Sequence, residues 1–341
     1  MDILYKSIEN YQKKNNKKIK ESTINLYVKN IERLFKFYNK DKNKELNDII
    51  NFLLKNNKEI LSNSGFFKNK SNNTKKLYLT SIIISLKAND KEDDEIYKKY
   101  YNLMMELNNI NEKIKEKQIK SETQKINWLK YNKLISIYKY YKKLVLVNKI
   151  RKKKELDKKL YEILQSYLIL TLYLGSKNNL PRRLEYSEMS IENIKKLKMD
   201  PDTHPKYFLE KYNNNKLLIK NSREMWFIFV NYKTNRTYGP QIVKVSKPLL
   251  SAINLYRKFY KDRKYLLTNY NGTNINKNQL TKKLNQIFIK KVNKKISVSM
   301  IRNIVMTELF SNIPQYKNIE DATNQMATSV LTALKTYNKK D

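Results

Sequence analysis

The order of apolar and polar residues along the first third of the chain indicates amphipathic helices. In residues 22–39, the side chains of Tyr27, Ile31, Leu34 and Phe35 fall on one helical face. Similar patterns predict further helices over residues 45–56, 72–89 and 93–120. Four helices within about 120 residues are typical of a compact helical bundle.

A second series of helices begins after this bundle. In residues 121–144, Ser121 and Gln124 have the spacing of a capping box, and an apolar-periodic helix is predicted after Trp128. Residues 156–175 form a strongly apolar helical run. We expect this run to lie at the centre of a second hydrophobic core.

Three short segments rich in β-branched and aromatic residues interrupt the helical pattern. They cover residues 216–221, 224–233 and 241–246, and turn-forming residues separate them. Helical periodicity then resumes over residues 247–263, 277–293, 297–312 and 319–340. The predicted fold class is therefore mainly α, with a small antiparallel β-sheet.

The length of 341 residues favours two domains. The polar, basic stretch near residues 116–125 separates the two series of helices, and we place the boundary there. One helical domain is expected over residues 1–120, and a second domain, which contains the sheet, over residues 121–341.

The charge balance indicates a polyanionic partner. Lys and Arg number 71 against 32 Asp and Glu, a net charge of +39. An AT-rich coding sequence would enrich lysine, but it would enrich glutamate as well, and glutamate does not keep pace. Because so large a charge repels itself in the free protein, nucleic acid is the expected partner.

Several kinds of chemistry are excluded by residues that the sequence lacks. There is no cysteine, and the one histidine, His204, is expected in a loop near two prolines. Disulfides, thiol catalysis, cysteine-ligated metals and histidine-based triads are therefore not expected. No run of 18 apolar residues and no signal peptide are visible, so we expect an intracellular protein without a membrane partner.

Four positions have the chemistry that phosphate requires. Arg182 can bind two phosphate oxygens, although a pair of arginines at a solvated helix end is also common. Lys233 follows an apolar strand and can donate a proton, or it is only a turn residue. Arg302 lies in an apolar helix, where it needs a partner. Tyr337 is one of 26 tyrosines, and its phenolate could attack a phosphodiester.

The order of these residues resembles that of the tyrosine recombinases, or phage integrases, which share a catalytic fold with type IB topoisomerases. The first arginine of that family lies in an Arg-x-x-Glu pattern after a buried helix, as Arg182 and Glu185 do, and Arg183 is the alternative. The family's lysine lies on a hairpin between the second and third strands. Lys233 is at the corresponding place.

The second half of the motif is altered. The family's His-x-x-Arg corresponds to Ser299 and Arg302, and a His or Trp nine residues before the tyrosine corresponds to Thr328 before Tyr337. A hydroxyl can still bond a phosphate oxygen, but it cannot act as a general acid or base near neutral pH. The resemblance extends to large-DNA-virus and mobile-element recombinases in the "PRR" and "LKTYNK" segments.

The resemblance implies a double-stranded DNA partner and a site-specific recombinase or integrase. It implies an N-terminal helical domain that grips DNA, a C-terminal domain that breaks and rejoins it through a 3′-phosphotyrosine, and four protomers around two duplexes. It also implies that no metal or other cofactor is needed. Two alternatives stay open: a type IB topoisomerase-like enzyme, and a catalytically decayed recombinase that only binds DNA.

Overall fold

The structure of the protein is a computed structural model that describes residues 2–16, 19–38, 46–62, 65–175, 181–311 and residue 320. These residues fall into two compact units. One contains the described residues up to Ile119 together with Glu320, and the second contains those from Lys120 to Ser311. The role of each unit stays a prediction.

The described part of the first unit consists of helices. These are α1 (Asp2–Lys14), α2 (Glu21–Tyr38), α3 (Leu46–Lys55), α4 (Asn57–Leu61), α5 (Asn72–Lys87) and α6 (Glu95–Glu116). The sequence pattern did not predict α1, although Leu4, Ile8 and Gln12 recur every four residues and are buried. Its glutamine and its many lysines concealed the apolar stripe.

The core of the first unit surrounds α5, which packs against α2 and α6. Two buried hydrogen bonds cross this core. The Asn30 amide donates to the Ser81 hydroxyl at 3.1 Å, and the Tyr100 hydroxyl donates to the Leu53 carbonyl at 2.8 Å. Such bonds satisfy polar groups that would otherwise destabilise an apolar interior.

The second unit begins with α7 (Glu122–Asn127), α8 (Tyr131–Val147) and α9 (Lys158–Leu174). Ser121 and Gln124 form both bonds of the predicted capping box. The apolar-periodic helix predicted after Trp128 corresponds to α8, and the chain leaves helical geometry at Trp128 before α8 starts. Asp157 caps α9, whose side chains are largely buried, as the sequence predicted.

The sheet has four strands in the order β1-β2-β3-β4, which are β1 (Ser190–Asn193), β2 (Lys216–Ile219), β3 (Met225–Phe229) and β4 (Gln241–Lys244). β2, β3 and β4 are antiparallel neighbours, as predicted. β1 pairs in parallel with β2, so the sheet is mixed, and the purely antiparallel prediction is wrong. The short, polar sequence of β1 carries no strand signal, because its pairing depends on tertiary contact.

Both faces of the central strands are covered. Phe227 and Phe229 point into the core built around α9, whereas Trp226 and Ile228 pack in a smaller cluster on the other face. Alternate side chains of a strand point to opposite faces. Burial on both faces therefore explains why β3 is an uninterrupted apolar run.

The remaining helices are α10 (Pro205–Lys211), α11 (Asn235–Tyr238), α12 (Lys247–Phe259), α13 (Lys277–Val292) and α14 (Val298–Leu309). The predicted helix over 319–340 lies outside the described residues, apart from residue 320. None of the helices that the structure describes is both long and apolar enough to cross a membrane. A mainly α fold with a small sheet is confirmed.

Candidate active site

Arg182 follows α9 and lies against the base of the connection between β3 and β4. Its guanidinium carbon is 4.0 Å from the centroid of the Phe229 ring and 5.1 Å from that of Tyr232. Its Nη1 donates a 2.6 Å hydrogen bond to Oε1 of Gln241, the first residue of β4. Stacking on two rings and one hydrogen bond fix the plane of the half-buried guanidinium.

The backbone around Arg182 is held by residues of the second core. The buried Tyr173 hydroxyl of α9 donates a 2.7 Å hydrogen bond to the carbonyl of Arg183. The Ser187 hydroxyl closes a turn on the carbonyl of Leu184 at 2.6 Å. The segment that carries the arginines is therefore attached to the buried helix, rather than being a loose helix end.

Lys233 lies in the connection between β3 and β4. The strand ends at Phe229, four residues before Lys233, so the lysine is further into the connection than the predicted strand of 224–233 implied. The Tyr232 hydroxyl donates to the carbonyl of Gly239, and this bond closes the base of the connection. The Lys233 side chain is exposed and makes no hydrogen bond or ion pair with another described residue.

Two features fold this connection back on itself. The side-chain oxygen of Asn215 accepts hydrogen bonds from the amides of Val230 and Asn231, at 3.0 and 2.9 Å, where the chain leaves β3. Gly239 has a φ of +66°, in the region that glycine adopts without steric cost, immediately after α11. The connection therefore has a defined geometry while its charged side chains face solvent.

Arg302 lies in α14, whose first turn is capped by the Ser297 hydroxyl. Burial lowers the pKa of Arg302, the positive charges of Arg183 and Arg182 lower it further, and the carboxylate of Glu185 opposes them. These charges therefore lie close enough to Arg302 to act on it. Arg183 acts on Arg302 more strongly than Arg182 does, so both candidates for the first arginine lie near Arg302.

The apolar sequence around Arg302 suggested that this arginine forms an ion pair that stabilises the fold, but the structure shows no such pair among the described residues. Arg302 makes no hydrogen bond or salt bridge within the described ranges, although it is half-buried. Glu185 is 8% exposed, and its Oε2 likewise lacks a hydrogen-bond partner there. A cluster of guanidiniums with unused donors, opposed by one buried carboxylate, suits an anionic ligand such as a phosphate.

The remaining predicted residues are placed only in part. Ser299 is exposed and lies one turn before Arg302 in α14, so the two share a side of the helix. Thr328 and Tyr337 lie outside the described residues. The structure therefore brings together the two predicted arginines, and the assignment of Ser299, Thr328, Lys233 and Tyr337 to the same site stays a prediction.

The residues that hold Arg182 were not predicted from the sequence. Only Tyr232 had a signal in the sequence, because it is an aromatic residue at the end of a predicted strand and directly precedes Lys233. Gln241 and Phe229 gave none, because nothing in local spacing relates them to Arg182.

The comparisons with known proteins found few similarities. No family model and no curated protein matches the chain. Among solved structures, the chain is similar to the XerA recombinase, with 13% identical residues and 99% of each chain covered. The TM-score of that match is 0.30, and at this level the likeness supports no conclusion about activity.

Proposed function

We propose that this protein is a DNA strand transferase of the tyrosine recombinase type. The observation that carries the proposal is the proximity of Arg182 to Arg302, which are far apart in the chain and have unused hydrogen-bond donors. Two guanidinium groups that converge can bind the non-bridging oxygens of one phosphodiester. They would also stabilise the charge that develops as that phosphate becomes pentavalent.

In the proposed reaction, Tyr337 loses its phenolic proton to water, and the resulting phenolate oxygen attacks the phosphorus atom of the scissile phosphate. The bond from phosphorus to the 5′ oxygen breaks, and Lys233 gives that oxygen a proton. The 3′ phosphate is then esterified to the tyrosine. A 5′ hydroxyl of a partner strand gives its proton back to Lys233 and attacks this ester, and Tyr337 leaves as a phenolate that takes a proton from water. The phosphodiester energy is thus conserved and no nucleotide cofactor is consumed.

Two hydroxyl side chains replace the histidines of the related motif. Ser299 and Thr328 would donate hydrogen bonds to the phosphate oxygens without exchanging protons at neutral pH. General acid and base catalysis contributes about 10²- to 10⁴-fold to rates, so strand cleavage is expected to be slower than in enzymes that keep both histidines. Lys233 then carries most of the acid catalysis.

The net charge of +39 supports the DNA partner. Binding that relies on lysine and arginine contacts with phosphates releases counterions and becomes weaker as salt rises. With six to ten such contacts, affinity would fall by about 10³- to 10⁵-fold between 50 and 200 mM salt. We further propose that the helical unit up to Ile119 grips DNA and that four protomers act on two duplexes, a stoichiometry that rests on the family resemblance.

A catalytically decayed recombinase is the second candidate, favoured by the serine at position 299 and the threonine at position 328. A suicide DNA substrate, nicked next to the cleavage site, distinguishes the two. An active enzyme becomes covalently trapped, because the released short strand diffuses away and religation fails. We expect an SDS-resistant adduct with the native protein and none with Tyr337→Phe, and mass spectrometry should locate the DNA on Tyr337.

Binding without any adduct would support the decayed candidate. An adduct on another tyrosine would contradict the assignment of the nucleophile. Relaxation of a supercoiled plasmid without strand exchange between two duplexes would favour the topoisomerase-like alternative.

A further inference from the structure

Arg183 is an exposed arginine whose side chain makes no hydrogen bond or ion pair with another described residue. Its backbone, in contrast, is held in place. The Tyr173 hydroxyl donates to the Arg183 carbonyl at 2.7 Å, Leu184 packs against the second core, and the next residues, Glu185 to Ser187, are buried. The guanidinium of Arg183 therefore extends into solvent from a fixed segment, and its donors are available to a ligand.

Arg182 and Arg183 are adjacent in the chain but have different surroundings. The Arg182 guanidinium stacks on Phe229 and donates to Gln241, so its position depends on the strands of the sheet. Arg183 shares neither contact among the described residues, and its side chain is exposed where that of Arg182 is half-buried. The two guanidiniums therefore offer separate sets of donors on one short segment.

Arg183 also lies close to Arg302 of α14. Among the charges that shift the pKa of Arg302, the positive charge of Arg183 has the largest effect, ahead of the carboxylate of Glu185 and the charge of Arg182. Charges act on one another more strongly as the distance between them decreases. Repulsion among these arginines is unfavourable in the free protein, and a bound anion would relieve it.

The charge of this cluster indicates which anion suits it. Three guanidiniums, those of Arg182, Arg183 and Arg302, are opposed by the single carboxylate of Glu185, so two positive charges are in excess. A DNA phosphodiester carries one negative charge, and the pentavalent species that forms when a phenolate attacks it carries two. With Arg183 the cluster matches this transition state, whereas without Arg183 it matches only the bound DNA.

We propose that Arg183 is a third phosphate-binding residue, which contacts the scissile phosphate together with Arg182 and Arg302 and balances the second negative charge of the transition state. This inference rests on the proposed strand-transferase function. It goes beyond the choice between Arg182 and Arg183 as the first arginine, because both bind the phosphate. A guanidinium can donate to two phosphate oxygens at once, and an exposed side chain on a fixed backbone is accessible to DNA.

Arg183→Gln tests the proposal in the full chain. At saturating suicide substrate, the rate of adduct formation should fall by about 10²-fold, whereas the affinity for DNA at low salt should fall by less than about tenfold. Arg183→Lys keeps the charge but loses the planar pair of donors, and it should regain part of the lost rate. Because Arg183 is exposed, both variants should unfold at the native temperature.

The matched control is Arg223→Gln, at the exposed turn between β2 and β3, which should form the adduct at the native rate. A native rate in Arg183→Gln as well would overturn the proposal and leave the strand-transferase function intact.

A binding measurement keeps the two proposals apart if the native protein forms no adduct. That result would count against the strand-transferase function, and DNA affinity would still decide whether Arg183 contacts a phosphate. Arg183→Gln should reduce the slope of log affinity against log salt by about one. Its effect on affinity should not be additive with that of Arg302→Met, because both residues contact the same phosphate. An unchanged slope, or additive effects, would overturn the proposal.

Discussion

The Arg182 guanidinium donates a 2.6 Å hydrogen bond to the Gln241 side chain, and this contact joins the segment after α9 to the start of β4. The same guanidinium stacks on Phe229 at the end of β3. The first candidate catalytic arginine is therefore oriented by both strands that flank the connection carrying Lys233. Its position depends on the sheet as much as on its own segment.

Gln241→Leu should slow formation of the covalent DNA adduct by about tenfold, because Arg182 loses one of the contacts that set its plane. The positive charge remains, so DNA affinity should change little. Single-turnover kinetics on the suicide substrate and a parallel binding assay measure the two effects. Gln286→Leu, at an exposed position of α13, is the control. Equal rates for native protein and Gln241→Leu would contradict a positioning role.

Arg302→Met should make the protein more stable but less active. Burial and the neighbouring arginines both disfavour the charged form of Arg302, so its removal should raise the free energy of unfolding, but only slightly, because solvent screens much of the effect on a half-exposed group. Loss of a group that stabilises the transition state should lower adduct formation by about 10²- to 10³-fold. Urea unfolding and adduct kinetics test the pair of effects.

The control for this variant is Arg223→Met, at an exposed turn between β2 and β3. It should leave adduct formation unchanged. A less stable Arg302→Met protein would mean that the guanidinium contributes to the fold rather than being held for a ligand.

The Asp200 carboxylate should make the second unit sensitive to acid. A hydrogen bond from Lys220 at 3.1 Å, with further bonds from Thr203, lowers the pKa of Asp200 from 3.8 to about 2. Because the folded pKa lies below the unfolded one, the stabilisation is complete above about pH 4 and is lost as the pH falls towards 2. Carbon-13 NMR titration of the carboxyl group measures the pKa directly.

Lys220→Met removes the main cause of this shift. The pKa of Asp200 should move back towards 3.8, and the loss of stability between pH 4 and pH 2 should become smaller. An unchanged titration curve in Lys220→Met would be inconsistent with the ion pair.

Tyr161→Phe tests the buried polar network at the centre of the second core. The Tyr161 hydroxyl accepts a 2.7 Å hydrogen bond from Gln165 and donates to the carbonyl of Thr268. Removal of the hydroxyl takes away both of these bonds, while Gln165 still donates to the carbonyl of Thr268, so the cost should be about 1 kcal/mol of unfolding free energy. Tyr238→Phe, at a position 68% exposed, should change the unfolding free energy very little. Equal urea midpoints for the two variants would argue against the network.

The sequence was informative where local periodicity coincides with burial. The apolar stripe of α2 and the nearly uniform apolar character of α9 identify both helices, and the run Met225–Phe229 identifies β3. β1 could not be predicted, because four mostly polar residues become a strand only when β2 is beside them. Secondary structure that depends on a distant partner leaves no local pattern.

The sequence predicted those parts of the candidate site that depend on the chemistry of individual residues, but not those that depend on tertiary contacts. Arg182 and Arg302 attract attention because each is a costly group in or beside an apolar helix, and the structure brings them together. The contacts of Arg182 with Phe229 and Gln241 are purely tertiary, so no spacing rule reveals them. The role of Tyr337 continues to rest on the sequence alone.

Arg182 contacts both ends of the β3–β4 connection, Tyr232 near its start and Gln241 at its end. Lys233 lies between these two contacts, within the connection itself. Lengthening or shortening residues 234–238 would therefore change the reach of the lysine and leave the arginine where it is. Proteins with this arrangement could fit differently shaped DNA backbones by changing the length of one short loop, while the arginine that binds the phosphate keeps its position.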